Sequence, residues 1–138
     1  MTPPQKLKCC SRWLGCILLL MLASGIQLEA TSGTYAWSVW MHITLGIVLT
    51  ALAAYHIFLH YRHCNWFARF ARNPNTLTRI LWWVFLLTAA SGIAATAIWL
   101  TGNTHSHLGA VHGKIGFLMV AAGLIHASRY LRKKHRRA

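Results

Sequence analysis

The chain has 138 residues, 56% of them hydrophobic, and a net charge of +13 from fourteen Lys and Arg against a single acid, Glu29. One domain's length, positive mean hydropathy and long apolar runs place it in the membrane class and exclude an ordinary soluble domain. All the cations except Lys114 flank helix ends on one side, so the charge is read as orientation and anionic-lipid contact, with no nucleic-acid partner.

The chain opens with Lys6, Lys8 and Arg12 ahead of an apolar run from Trp13 to Leu28. A basic start, an apolar core and the small residues Ala23, Ser24 and Gly25 also fit a cleavable signal peptide. An internal repeat weighs against cleavage. A shift of 67 places Arg12, Leu14, Leu19, Leu20, Ala23, Ser24, Gly25 and Ile26 on identical residues from Arg79 to Ile93, so the first helix is expected to be retained as the counterpart of the third.

A second helix is predicted from Trp37 to Tyr61, a third from Leu77 to Leu100 and a fourth from Leu108 to Leu131. A shift of 70 superposes His42, Gly46, Ala51, His56 and Arg62 on His112, Gly116, Ala121, His126 and Arg132. The expected fold is therefore an all-α membrane protein, a four-transmembrane-helix bundle built from a duplicated hairpin. The whole chain, 1–138, is one domain, with repeat 1 at about 12–62, repeat 2 at about 79–132, and tails at 1–11 and 133–138. Asn73-Pro74-Asn75 separates the repeats.

Basic segments at the N-terminus, at RHCNWFARFARNPNTLTR and at RYLRKKHRRA contrast with EATSGTY and TGNTHSH, which carry no Lys or Arg. Both termini are expected in the cytoplasm, and the tryptophans fit the two interfaces: Trp37, Trp40 and Trp99 outside, Trp13, Trp66, Trp82 and Trp83 inside. Cys9, Cys10, Cys16 and Cys64 all fall near the cytoplasmic side, where thiols stay reduced, so no disulfide framework is expected. Cys64 beside His63 is read as incidental to the interface, and no C-x-x-C-H is present for covalent haem attachment.

Histidine spacing carries the chemistry. His42 and His56 are fourteen residues apart in an apolar helix, as are His112 and His126. At ~100° and ~1.5 Å per residue, each pair shares one helix face and is separated by about 21 Å along the axis. Helices two and four run in the same direction, so His42 shares an outer level with His112, and His56 an inner level with His126. Cross-pairing would place ligands too far apart in depth for one iron. Four matched histidines in apolar helices fit axial ligation of two haem b groups, one per level, better than four separate packing or proton-relay roles.

Gly46 and Gly116 follow the outer histidines by four residues and could let a porphyrin lie against the helix, with plain helix packing as the alternative. Gly109 and Gly113 form a weak G-x-x-x-G contact signal, and Gly25 and Gly92, each after a serine, are read as helix-contact residues. Lys114 is either a snorkelling cation or a partner of a haem propionate, and the repeat-matched Arg62 and Arg132 could pair with inner propionates. Glu29, His105 and His107 near the outer side could exchange quinol protons, although helix-end solvation or a loop position explains them as well. His60 is an interfacial histidine or borders a quinone pocket.

These residues, with IFLHYR after His56 and the two Ser-Gly-Ile steps, give residues 12 to 132 a pattern that resembles the bacterial flavinylation-associated transmembrane cytochromes. That family lies within the broader group of four-helix di-haem b cytochromes, which includes the cytochrome b subunits of hydrogenases and formate dehydrogenases. The resemblance implies electron transfer between membrane quinone and an extracytoplasmic redox protein, in a multi-pass protein of the bacterial inner membrane. Outer loops of about a dozen residues and the lack of G-x-G-x-x-G or P-loop motifs leave no visible nucleotide or flavin site, so no extramembrane domain is expected. An enzyme reading makes the bundle a stand-alone quinone-coupled oxidoreductase acting on a small substrate such as superoxide, attracted by Lys114, His105 and His107. A third, non-redox reading is a membrane anchor or transporter.

Overall fold

The computed structural model describes residues 3–61, 75–102 and 107–135. They form four helices, α1 (Pro3–Ala30), α2 (Ala36–Tyr61), α3 (Thr76–Leu100) and α4 (His107–His135), and no strand occurs among the described residues. Each contains a segment long and apolar enough to cross a membrane. Apolar length suits these segments to a bilayer because a helix satisfies its own backbone polar groups where no water is available.

Two compact units divide the chain between α2 and α3. In the first, α1 packs on α2; in the second, α3 packs on α4. The α1–α2 connection is short because α1 ends in a Schellman motif. Gly33 N–H donates to Leu28 O at 3.0 Å and Ser32 N–H to Glu29 O at 3.3 Å, which satisfies two carbonyls of the last turn. Ser32 takes φ 49° and Gly33 φ 66°, so the turn needs left-handed backbone at both positions. Ser38 then braces the start of α2, its hydroxyl donating to Tyr35 O at 2.7 Å.

The helix limits differ from the sequence expectation at two ends. α1 begins ten residues before Trp13, since prolines are tolerated in a first turn and nothing in QKLKCCSR breaks a helix once the apolar run has nucleated it. α4 runs on to His135 through the basic tail, beyond Leu131. Hydropathy marks where a helix meets lipid, whereas the hydrogen-bonded backbone continues past that point.

Large apolar side chains point outward along the helices, among them Ile93 at 73% exposure, Phe58 at 66% and Ile47 at 65%. Such an outer surface suits acyl chains. Trp13 and Trp83 in the first halves of α1 and α3, and Trp37 and Trp40 near the start of α2, are also exposed. Among the described residues few are buried, and three of them are polar: Ser24, Ser38 and Thr88. Each hydroxyl donates to a main-chain carbonyl three or four residues earlier, which makes burial affordable in an apolar surrounding. Cys9, Cys10 and Cys16 are free thiols.

Candidate functional site

Ser24 and His42 meet between α1 and α2, with Ser24 Oγ 2.8 Å from His42 Nδ1. The serine hydroxyl also lies 3.1 Å from Met21 O, and with its proton placed there its oxygen accepts and the histidine is the Nδ1–H tautomer. The same construction recurs between α3 and α4. Ser91 Oγ lies 3.2 Å from His112 Nδ1 and donates to Thr88 O at 3.1 Å. A neutral imidazole protonated at Nδ1 carries its lone pair on Nε2, the form in which histidine ligates a metal.

The glycine after each serine lies beside the ring. A Cβ on Gly25 would stand 3.7 Å from His42 Cε1, an ordinary contact. On Gly92 it would stand only 2.9 Å from His112 Cε1 and 3.3 Å from Nδ1, so the second imidazole occupies space that only glycine leaves. Gly25 and Gly92, read from sequence as helix-contact positions, thus lie where α1 and α3 receive His42 and His112.

Gly46 and Gly116 behave differently. A Cβ on Gly46 would meet the Met21 methyl at 3.8 Å, and one on Gly116 would meet nothing within 4 Å among the described residues. Packing inside either hairpin therefore does not demand glycine at these two positions.

His56 and His126 are half-buried on α2 and α4. His56 Nδ1 is shielded from solvent, and its ring stands edge-on to exposed His60, with centroids 5.4 Å apart. Lys114 is exposed and leaves α4 about 200° round from His112. Glu29 and His107 are exposed at helix ends, Glu29 one residue before the end of α1 and His107 at the start of α4. Arg132 belongs to the last turns of α4. Arg62, His63, Cys64, Trp66 and His105 lie outside the described residues.

Among the described residues no group of three or more His, Cys, Asp or Glu could hold a bare metal ion. Axial haem ligation requires only two imidazoles, and the Nδ1–H tautomer with a glycine beside the ring is compatible with it at His42 and His112. Comparison with protein-family profiles, with curated proteins and with solved structures finds no match for this chain.

Proposed function

We propose that this protein is a di-haem b-type cytochrome of the bacterial inner membrane, built from a duplicated helical hairpin with both termini in the cytoplasm. It transfers electrons between the quinone pool and an extracytoplasmic redox protein. His42 and His112 ligate the outer haem, and His56 and His126 the inner one. The observation that carries this reading is the repetition of one construction, a serine-held histidine, at repeat-matched positions of the two hairpins. Either interhelical bond alone would be ordinary packing. Both recur with a second histidine fourteen residues further along the same helix face, and such polar rings are costly in lipid unless they have work to do.

The two glycines that hairpin packing does not require, Gly46 and Gly116, follow the outer ligands on nearly the same face and leave room for a macrocycle edge. When bound, haem supplies a one-electron carrier at each level, about 21 Å apart in ligand depth. The chain's own residues hold and orient the imidazoles and keep water from them. Lys114, exposed and well round the helix from His112, acts as a snorkelling cation. Arg62 and Arg132, matched in the repeat, are the cations that would pair with inner propionates, and Glu29 or the outer-side histidines would exchange protons with quinol.

An optical spectrum of purified protein with a haem-to-protein ratio tests the cofactor. Reduced b-type bands and about two haems per chain are expected, and a colourless preparation would point to a membrane anchor or transporter. A quinol analogue should reduce the protein while NADH should not, because no nucleotide-binding motif is present. Rapid reaction with superoxide in the absence of any partner would favour the stand-alone oxidoreductase.

A further inference from the structure

Resting on the cytochrome reading, we infer that Ser24 and Ser91 are positioning residues that fix the tautomer and rotation of His42 and His112, so that Nε2 is the nitrogen each ring offers to a haem iron. Three features of each hairpin combine in this role. The serine hydroxyl lies within donating distance of a carbonyl of its own helix, Met21 O in one hairpin and Thr88 O in the other, both at 3.1 Å. With its proton there, what faces the imidazole is an oxygen lone pair, which admits a ring N–H and repels a ring lone pair. The ring nitrogen it meets is Nδ1 in both cases, at 2.8 and 3.2 Å.

Burial makes the selection strong. Ser24 is 3% exposed, so a His42 flipped to the other tautomer would set two lone pairs against each other with little access to water. The neighbouring glycine fixes the remaining freedom, because the ring lies against the bare backbone at Gly25 and, more tightly, at Gly92. An N–H held by a neutral hydroxyl oxygen also leaves the ring a neutral imidazole. A carboxylate partner would draw the proton further and make the ligand more basic. The outer site is therefore built for a neutral donor.

The test uses the full-length protein with histidine nitrogens labelled with 15N, reduced so that bis-imidazole haem is diamagnetic, together with Ser24→Ala, Ser91→Ala and the hydroxyl-preserving Ser24→Thr and Ser91→Thr. Wild type should show Nδ1–H signals for His42 and His112. Each alanine variant should shift the signal of its own histidine and weaken retention of one haem by ~10- to 100-fold, the usual effect of removing an outer partner of a metal-bound histidine. Threonine should restore both. Haem-loaded wild type with Nδ1 of these histidines unprotonated, or alanine variants that keep both the signals and the haem, would overturn the positioning role while leaving the cytochrome reading intact. A wild-type chain that holds no haem under any preparation would overturn the cytochrome reading itself, and the assignment of Nε2 as ligand with it.

Discussion

Gly92 and His112 are in closer contact than any other residue could allow, since a Cβ at position 92 would stand 2.9 Å from the ring's Cε1. The matching distance from Gly25 to His42 is 3.7 Å. The two hairpins therefore differ in tolerance. Gly92→Ala should displace the imidazole and weaken retention of the outer haem by about tenfold or more, whereas Gly25→Ala should stay within about twofold because its new contact is of ordinary length. Alanine favours a helix over glycine by ~1 kcal/mol, so a loss at Gly92 would not come from a weakened helix. Haem-to-protein ratios after detergent washing, with helix content from circular dichroism, make the comparison.

Gly46→Ala and Gly116→Ala separate haem contact from helix packing. Neither substitution crowds its own hairpin, where the added methyl meets Met21 at 3.8 Å or nothing within 4 Å among the described residues. If a macrocycle edge occupies that face, both variants should lose or shift the outer haem while the hairpins remain helical. An unchanged spectrum in both would leave the glycines without a haem role.

Ser32 offers a stability test away from the histidines. It sits in left-handed backbone at φ 49° in the turn after α1, an arrangement that costs a residue with a Cβ about 1–2 kcal/mol. Ser32→Gly should stabilise the protein by about 0.5–1 kcal/mol after the extra chain entropy of glycine is subtracted. Reversible unfolding in mixed detergent should reveal the gain, with no change in haem spectrum.

Charge predicts the topology. Thirteen of the fourteen cations would lie outside if the chain were reversed in the membrane. Reporter fusions at Ala138 should be active only for a cytoplasmic reporter, and activity confined to an outer-side reporter would contradict the orientation.

Four helices were legible in the sequence because apolar length alone separates a membrane span from other segments. Their polar extensions were not. α1 reaches back to Pro3, and α4 on to His135, through residues whose hydropathy says nothing about helix propagation. The histidines were legible from their spacing and Ser24 and Ser91 from the repeat, but the bond between them was not, since it depends on how α1 and α3 are rotated about their axes. Depth held a partial signal: Ser24 lies six residues before the last residue of α1, and His42 six after the first of α2. Equal depth on adjacent antiparallel helices makes contact possible, and only packing decides which faces meet.

The central claim is two haems at two independent levels, and counting haem in single and double histidine variants tests it most directly. Leucine approximates the volume of histidine without a lone pair, so each of His42→Leu, His56→Leu, His112→Leu and His126→Leu should leave about one haem per chain. The same-level double, His42→Leu with His112→Leu, should match its parents because both act on one site. The same-helix double, His42→Leu with His56→Leu, should bind almost none. A haem-free same-level double alongside a same-helix double that still holds one haem would contradict the account.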